Sequence, residues 1–448
     1  MKIVIIGGVA AGAKAAAKTR RLLPDSQIDI YTDDTHISYS ACGLPYYIEG
    51  NFEDYKKLII RTPEDFQKVN INVHIKNKVT KIIPNAQKIL VKDLETETVF
   101  PVEYDKLVIA TGARPFLPNI QNIDKPNVYK LRTLEDGIAI REKMLNSEHI
   151  TIIGGGYIGL ELLEACVKNN KKVTIIENSS HLMPNLDKDI ADLIMEHIEK
   201  HYSEFIKIIL NDRAIHFNGQ DEVTEVLTED GESIKTNMVI LCTGVRPCTK
   251  IAESAGIELG VTNAIKVNSR METNIENIYA CGDCAESTHI VSNAPVWIPL
   301  GSNANKTGRC TAVNLSGYKE DFEGVLGSAV TRFISLTISS TGLSEKEAIF
   351  SGFDPISVIV TKRDKAGYMP EVQNITIKLI ADKRTHKLLG GQAIGCGDAD
   401  KRINSLSIGL LNGITVEELL GADITYAPPY STTIDPLIDA ARILLSKF

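Results

Sequence analysis

The 448-residue chain has no uncharged apolar run close to the ~20 residues that a membrane-spanning helix needs. It also has no excess of basic residues, because its 49 lysines and arginines are outnumbered by 57 aspartates and glutamates, which leaves a net charge of −8. These absences argue against a membrane protein and against a nucleic-acid-binding protein. The remaining composition is ordinary for a globular protein, and the length predicts about three domains.

A secretory signal is also missing, because the apolar run that starts at Ile3 ends at Ile6, where glycines follow. Eight cysteines are scattered along the chain without the dense spacing of a disulfide framework. The histidines show no metal-ligand spacing, so we predict no metal site. These features favour a protein of the reducing cytoplasm.

What the sequence does contain is an internal repeat. A strand, a glycine loop and a helix are followed, much later, by a strand that ends in Thr-Gly-x-Arg-Pro; the copies span residues 3–115 and 150–247. Short apolar strand candidates alternate with helical stretches, which is typical of parallel sheets covered on both faces. The repeat predicts an α/β fold with two Rossmann-like dinucleotide-binding modules.

The second glycine loop follows a strand and opens a helix, and an acidic residue ends the next strand. Glycines let the backbone approach a pyrophosphate, the helix N-terminus offers unpaired N–H donors, and the acid accepts from ribose hydroxyls. The predicted nicotinamide-site residues are Gly154, Gly156, Tyr157, Ile158, Gly159 and Glu177. No arginine stands near Glu177 in the sequence, which favours NADH, with NADPH as the alternative donor.

The first loop is a variant, because Gly7, Gly8 and Gly12 are present but Val9 stands where the middle glycine is usual. At the end of the next strand, either Thr32 or Asp33 would contact a ribose, and the sequence leaves the choice open. Paired dinucleotide sites commonly hold FAD and a nicotinamide, because hydride passes from one ring to the other.

A later strand supports a flavin site, because it runs into Gly-Asp at Asp283, whose carboxylate suits a sugar-like chain. The Thr-Gly-x-Arg-Pro segments that end the two copies add Thr111, Gly112 and Gly244 to the predicted cofactor-binding residues.

Beyond about residue 326, strand-like alternation and then two helical stretches, 400–413 and 435–447, predict a separate α+β domain.

Together, the two loops, the two Thr-Gly-x-Arg-Pro segments and the Gly-Asp element resemble the FAD-dependent pyridine nucleotide disulfide oxidoreductases over essentially the whole chain. The resemblance implies an FAD domain at residues 1–113 and 245–325, an NAD domain at 114–244 and a dimerisation domain at 326–448. It also implies a homodimer, with Tyr157 as the gate over the flavin.

One thiol stands where dithiol members of this family have two, because Cys42 is followed five residues later by Tyr47. The segment around Cys42 resembles the single-cysteine branch, which contains coenzyme A disulfide reductases, polysulfide and persulfide reductases, NADH oxidases and NADH peroxidases. A solitary cysteine beside a flavin can open a substrate disulfide or cycle through a sulfenic acid.

Two features favour a large anionic disulfide. The peroxidases and oxidases of the branch carry a histidine where this chain has Ala10, so the proton donor for a peroxide is missing. Lys14, Lys18 and Arg21 are spaced to share one helix face, which would suit a phosphate-rich substrate, although a solvated surface explains such a face equally well.

The resemblance extends to substrate residues. Arg21 and Ser38 match positions that contact coenzyme A in the branch, whereas Ala41 replaces an asparagine. Tyr368 and Tyr426 match tyrosines that reach the partner subunit's cysteine site, with Tyr430 as the reserve; a rigid packed turn is the alternative.

We therefore predict an FAD-dependent NADH oxidoreductase that reduces coenzyme A disulfide, or a related low-molecular-weight disulfide, persulfide or polysulfide, through Cys42. The first alternative is an NADH oxidase or peroxidase that uses a Cys42 sulfenic acid. A flavin-bearing redox sensor with little turnover is the second.

Overall fold

The structure, a computed structural model, describes residues 1–448, and its elements fall into three successive stretches. The first stretch contains β1 (Lys2–Ile6), α1 (Ala11–Leu22), β2 (Gln27–Tyr31), α2 (Leu44–Glu49), α3 (Pro63–Gln67), β3 (Ile71–His74), β4 (Asn77–Ile83), β5 (Lys88–Asp93), β6 (Val99–Glu103), β7 (Lys106–Ile109) and β8 (Ala113–Pro115).

The second stretch contains β9 (Val128–Lys130), α4 (Leu134–Leu145), β10 (His149–Ile153), α5 (Tyr157–Lys168), β11 (Lys172–Glu177), α6 (Lys188–Tyr202), β12 (Ile206–Leu210), β13 (Ala214–Asn218), β14 (Glu225–Thr228), β15 (Ser233–Lys235), β16 (Met238–Leu241), β17 (Val245–Pro247), α7 (Lys250–Glu253), β18 (Ile278–Ala280), β19 (Ser287–Thr288), β20 (Pro295–Val296) and α8 (Gly301–Leu315). The third contains β21 (Ala329–Phe333), β22 (Leu336–Gly342), α9 (Glu345–Phe350), β23 (Pro355–Arg363), β24 (Asn374–Asp382), β25 (Leu388–Gly395), α10 (Ala399–Leu411), α11 (Val416–Leu420) and α12 (Pro436–Leu445).

Two parallel sheets repeat one plan. The first has the order β18-β7-β1-β2-β3, and the second has the order β12-β11-β10-β16-β9. Their central strands β1 and β10 are buried at every residue but the first, as expected for parallel strands covered on both faces. Each module also carries a three-stranded antiparallel sheet, β4-β5-β6 in the first and β13-β14-β15 in the second.

The chain crosses between the two modules at a short antiparallel pair. Strand β8 pairs with β17, so that the two Arg-Pro segments of the repeat lie side by side with Arg114 opposite Arg246. Strand β18 pairs with β7 at the edge of the first sheet. The first module is therefore built from two chain segments, one before the second module and one after it.

The third stretch forms a five-stranded antiparallel sheet in the order β21-β22-β25-β24-β23, with α10 and α12 packed against it. The predicted fold class, α/β with two dinucleotide-binding modules and a C-terminal α+β part, is confirmed. The divisions at residues 113, 244 and 325 stay predictions. None of the helices is both long and apolar enough to span a bilayer.

Helix α2 connects the three parts next to Cys42. Its Leu44 is buried in the largest hydrophobic cluster, which includes residues of α4, α5 and β21. Its last residue, Glu49, pairs with Lys168 on α5 at 2.6 Å and with Arg332 on β21 at 3.2 Å. The helix that follows Cys42 is therefore held against the second module and the C-terminal sheet.

Candidate active site

One cleft of about 3020 Å³ lies between the three parts of the molecule. Pockets for a single drug-sized ligand usually measure roughly 300–1,000 Å³, so this cleft has room for two dinucleotides and a substrate. The predicted site residues that line it are Gly7, Gly8, Thr32, Asp33, Cys42, Thr111, Gly112, Gly154, Gly156, Tyr157, Ile158, Glu177, Gly244 and Asp283. Gly12 and Gly159 lie within α1 and α5, directly behind the loops.

The two glycine loops have the same geometry. Gly7 and Gly154 have φ values of +99° and +103°, and a Cβ at either would clash with a carbonyl oxygen, that of Ala110 or Cys242. Only glycine fits these turns without strain. By contrast, a Cβ at Gly156 would contact nothing within 4 Å, which explains how the first loop accommodates a valine at the equivalent position.

The loops also leave backbone donors free. The amides of Ala10 and Ala11, at the start of α1, have no acceptor within the chain, and the same is true of Tyr157 and Ile158 at the start of α5. Free N–H groups at a helix N-terminus attract phosphate. Both loops therefore fit a dinucleotide pyrophosphate, which is the feature that FAD and NADH share.

Strand β2 pairs with β1 in the same register in which β11 pairs with β10. Thr32, the residue after β2, is therefore equivalent to Glu177, the last residue of β11. The Glu177 carboxylate accepts from the amides of Gly155 at 2.6 Å and Ser179 at 2.7 Å, so it faces its own glycine loop. Thr32 is buried, whereas Asp33 is exposed and pairs with a lysine. Register therefore favours Thr32 as the ribose neighbour in the first module.

An arginine that the sequence did not reveal lies near the nicotinamide site. The amide of Asp212 reaches the Glu177 carbonyl at 3.4 Å, and the next residue, Arg213, lines the cleft. Its guanidinium is paired with Glu229. The preference for NADH over NADPH therefore stays a prediction.

Asp283 lies where the first module meets the rest of the cleft. Its side chain is mostly buried and pairs with Arg132 at 3.5 Å, and burial raises its pKa. The remaining carboxylate lone pairs face the cleft and fit the hydroxyl-rich chain of FAD. Arg132 itself was not predicted, and nothing in its sequence context marks it.

Cys42 lies in a short helical turn, Ala41–Gly43, that leads into α2. Its side chain is open to the cleft. Gly301, the first residue of α8, lies beside it, since a Cβ built on Gly301 would be 3.7 Å from the Cys42 sulfur. The positive end of the α8 dipole is therefore next to the sulfur, where it favours a thiolate.

Other groups oppose the thiolate. Burial raises the pKa of Cys42, the carboxylates of Glu161 and Asp283 raise it further, and Arg132 lowers it. Glu161 lies one helical turn after Tyr157 on α5 and lines the cleft. Burial raises the pKa of Glu161 to about 7. Glu161 was not among the predicted site residues; the one signal in the sequence is its spacing of four from Tyr157, which places both on one helix face.

The basic residues lie on α1, which begins at Ala11, and they do not line the cleft. None of Lys14, Lys18 and Arg21 forms an ion pair within the chain. Ser38 has a left-handed backbone with φ 50°, and its amide donates to the carbonyl of Gly8 at 2.9 Å. The basic face and Ser38 therefore flank the first glycine loop.

The three predicted tyrosines lie on the C-terminal part, outside the cleft. Tyr368, Tyr426 and Tyr430 are 77%, 47% and 65% exposed. Their two loops are joined by a hydrogen bond from the Ala366 amide to the Pro428 carbonyl at 3.2 Å. The structure thus brings the tyrosine loops together but does not place them at Cys42 of the same chain.

Two dinucleotide loops, a flavin-type carboxylate and the exposed thiol of Cys42 in a shared cleft define an oxidoreductase that couples a flavin to a nicotinamide. Residues 1–308 match the family model "Pyridine nucleotide-disulphide oxidoreductase", and residues 328–437 match that family's dimerisation domain. The chain belongs to this family, whose members use FAD. It is an enzyme of the FAD-dependent NAD(P)H oxidoreductase class.

Relatives in this family have several names. The chain is 36% identical over 447 residues to an "NAD(P)H sulfur oxidoreductase (CoA-dependent)" of Pyrococcus furiosus, covering 99% of both chains. It is 34% identical to an NADH oxidase of Methanocaldococcus jannaschii over 100% of this chain and 99% of that one. It is 32% identical to the coenzyme A disulfide reductase of Staphylococcus haemolyticus, over 96% of each chain.

A solved structure of an NAD-dependent persulfide reductase from A. fulgidus is also similar. It superposes with a TM-score of 0.97 at 34% identity, covering 100% of this chain and 83% of that chain.

Proposed function

We propose that the protein uses NADH to reduce coenzyme A disulfide, or a related low-molecular-weight disulfide, persulfide or polysulfide, through Cys42. The observation that carries this proposal is the placement of one open thiol beside the α8 N-terminus, in the cleft that joins two dinucleotide loops. Bound FAD would accept a hydride from NADH and supply an electron pair to the sulfur site.

The chemistry at Cys42 is thiol–disulfide exchange. The thiolate attacks one sulfur of the substrate, so that a Cys42–sulfur bond forms, the substrate S–S bond breaks and one thiolate leaves. Two electrons and two protons then convert the mixed disulfide to the Cys42 thiol and a second coenzyme A thiol. Over the whole cycle, NADH, one proton and the disulfide give NAD⁺ and two thiols.

The charged α1 face supports a phosphate-bearing substrate. Lys14, Lys18 and Arg21 have no carboxylate partners, and Ser38 lies against the loop from which α1 starts. In this proposal the three cations bind the phosphates of coenzyme A while its sulfur reaches Cys42. The name of the CoA-dependent relative from P. furiosus is consistent with this.

We also propose a homodimer in which Tyr368 or Tyr426 of the partner subunit assists the departing thiolate. The exposed position of both tyrosines, and the bond that joins their loops, suit side chains that extend to a second chain. A phenol can donate to a developing thiolate charge in a closed site. Tyr430 is the alternative if neither Tyr368 nor Tyr426 has this role.

We place the protein in the reducing cytoplasm, which keeps Cys42 a thiol.

Mass spectrometry of the trapped intermediate tests the proposal. FAD-loaded protein is incubated with coenzyme A disulfide without NADH, and we expect a coenzyme A adduct on the peptide that contains Cys42. Cys42→Ser should retain FAD, lose the adduct and lose disulfide reduction. Cys396→Ser, which removes the other exposed thiol, should change none of these. Retained turnover in Cys42→Ser would contradict the mechanism.

A second candidate is an NADH oxidase, favoured by the similarity to the M. jannaschii protein of that name. It would require a Cys42 sulfenic acid and a proton donor, and Ala10 supplies none. Rapid oxygen uptake with NADH, greater than the turnover with any disulfide, would favour it.

A further inference from the structure

Three polar side chains form a row across the C-terminal sheet. In the strand registers, Ser340 on β22 lies opposite Gln392 on β25, which in turn lies opposite Lys378 on β24. Directly opposed residues of antiparallel strands project to the same face of a sheet. Ser340 and Gln392 also line the cleft, so this row points from the interior of the sheet toward the candidate active site.

Lys378 is fully buried, and its amine contacts three carboxylates. The distances are 2.7 Å to Asp189, 3.0 Å to Glu345 and 3.1 Å to Asp187. Burial lowers the pKa of Lys378, but these contacts outweigh burial and raise it. Replacing buried ion clusters by apolar residues is often neutral or stabilising, so stability alone poorly explains a buried lysine here.

Gln392 fixes both the backbone and the side chain of Asp187, the residue that precedes α6. The Gln392 side chain accepts from the Asp187 amide at 3.0 Å and donates to the Asp187 carboxylate at 2.9 Å. The other carboxylate oxygen accepts from the Glu345 amide at 3.1 Å. The segment before α6 is therefore held against the C-terminal sheet.

The same segment holds Tyr157. Two residues before Asp187, the Asn185 side chain donates to the Tyr157 hydroxyl at 2.9 Å. Ser340, at the cleft end of the row, lies near the same hydroxyl and lowers the pKa of Tyr157, as Asn185 does, although burial raises that pKa overall. The row therefore connects to Tyr157 by hydrogen bonds through the segment that carries Asn185, and its cleft end, Ser340, lies near the same hydroxyl.

We propose that Lys378 and Gln392 are positioning residues that fix the Tyr157 ring for hydride delivery from NADH. This inference rests on the proposed function, in which Tyr157 lies on the path between nicotinamide and FAD. Without the row, the segment of Asn185 loosens and the ring samples positions that misalign the nicotinamide. Small misalignments at a reacting centre cost large factors in rate.

The test is a double-mutant cycle on reduction of bound FAD by NADH, measured anaerobically by stopped flow without any disulfide. Lys378→Gln and Tyr157→Phe are each expected to slow reduction about tenfold. The double variant should be no slower than either, because both changes act on the same hydroxyl. Lys362→Gln is the matched control, since Lys362 lies on β23 of the same sheet and forms its ion pair with Asp439 on α12.

Hydrogen exchange of the FAD-loaded protein provides a readout independent of activity. In Lys378→Gln, the amide of Asp187 should exchange faster, while amides in β22 keep their protection. Should Lys378→Gln fold poorly, Gln392→Met and Ser340→Ala replace it in the cycle, because neither leaves a carboxylate cluster without its cation.

The outcomes separate the two proposals. Suppose that Tyr157→Phe slows FAD reduction, and that Lys378→Gln slows it by the same factor in the Tyr157→Phe variant as in the wild type. The positioning role is then wrong and the proposed function stands. If Tyr157→Phe leaves the rate unchanged, the assignment of Tyr157 fails, and the inference fails with it. Since no disulfide is present, an error in the substrate assignment affects neither result.

Discussion

Thr331, on β21, donates a hydrogen bond from its hydroxyl to Oε1 of Glu161, on α5, over 3.2 Å. This contact crosses from the C-terminal sheet to the nicotinamide module, beside Cys42. Burial raises the pKa of Glu161 to about 7 even though the Thr331 contact lowers it. A carboxyl group that titrates near neutral pH therefore lies close enough to Cys42 to raise the pKa of the thiol when ionised.

We predict that Glu161→Gln makes Cys42 more reactive at a given pH. The variant removes a negative charge, so the pKa of Cys42 falls and the thiolate forms at lower pH. The rate of Cys42 alkylation by iodoacetamide, followed by mass spectrometry across pH, should shift to lower pH relative to the wild type. A shift to higher pH would contradict the placement of Glu161 beside the thiol.

Stability should depend on pH through the same residue. The carboxyl has an ordinary pKa of 4.5 and a folded pKa of about 7, so between these values the folded protein binds more protons than the unfolded protein. Stability must then fall as pH rises through this window. The Tm of the FAD-loaded wild type should therefore drop relative to Glu161→Gln from about pH 4.5 to about pH 7. A constant difference would show that Glu161 is not buried in solution.

Glu177→Ala should reduce kcat/KM for NADH about thirtyfold, because the ribose hydroxyls lose a charged acceptor and the Gly155 amide loses its partner. The effect on NADPH should be smaller, since a 2′-phosphate gains nothing from the carboxylate. Steady-state kinetics with both donors measures the ratio. Thr32→Ala, at the equivalent position of the other module, should weaken FAD retention while the NADH to NADPH ratio stays constant.

The basic face of α1 should set affinity for coenzyme A disulfide. The triple variant Lys14→Ala, Lys18→Ala, Arg21→Ala is expected to raise KM at least about tenfold, with little change for the uncharged hydroxyethyl disulfide. Arg20→Ala on the same helix is the control, because its guanidinium already bonds the carbonyls of Pro24 and Asn70. An unchanged KM for coenzyme A disulfide would show that the face is only solvated surface.

Mixed dimers test whether the tyrosines act on the partner's site. Cys42→Ser chains and Tyr368→Phe/Tyr426→Phe chains should each form dimers with little disulfide reductase activity. A heterodimer of the two has one site with both Cys42 and intact tyrosines, so up to about half of wild-type activity should return. If the tyrosines acted within their own chain, no site would be complete and the heterodimer would stay inactive.

Much of the fold and part of the site follow from local sequence. Each glycine loop lies between a buried strand and its helix, so Gly7 and Gly154 were predicted from a few residues of spacing. The choice between Thr32 and Asp33 needed strand register, which equates Thr32 with Glu177. Register depends on pairing between distant strands and is not encoded in either strand alone.

The residues that sequence reasoning missed act through distant partners. Glu161 owes its raised pKa to burial by a strand whose Thr331 lies 170 residues away. Lys378 lies in a strand with no unusual sequence feature. Its role depends on ion pairs with Asp187, Asp189 and Glu345, which packing brings to its amine. Such clusters carry no local pattern, because the three-dimensional fold assembles them.

Anaerobic NADH oxidation by the FAD-loaded protein tests the central claim most directly, with coenzyme A disulfide, polysulfide and hydrogen peroxide in parallel and oxygen admitted afterwards. The account predicts that a sulfur substrate is reduced fastest, with kcat/KM for coenzyme A disulfide about a hundredfold above that for peroxide. Faster turnover with oxygen or peroxide than with any sulfur substrate would contradict it.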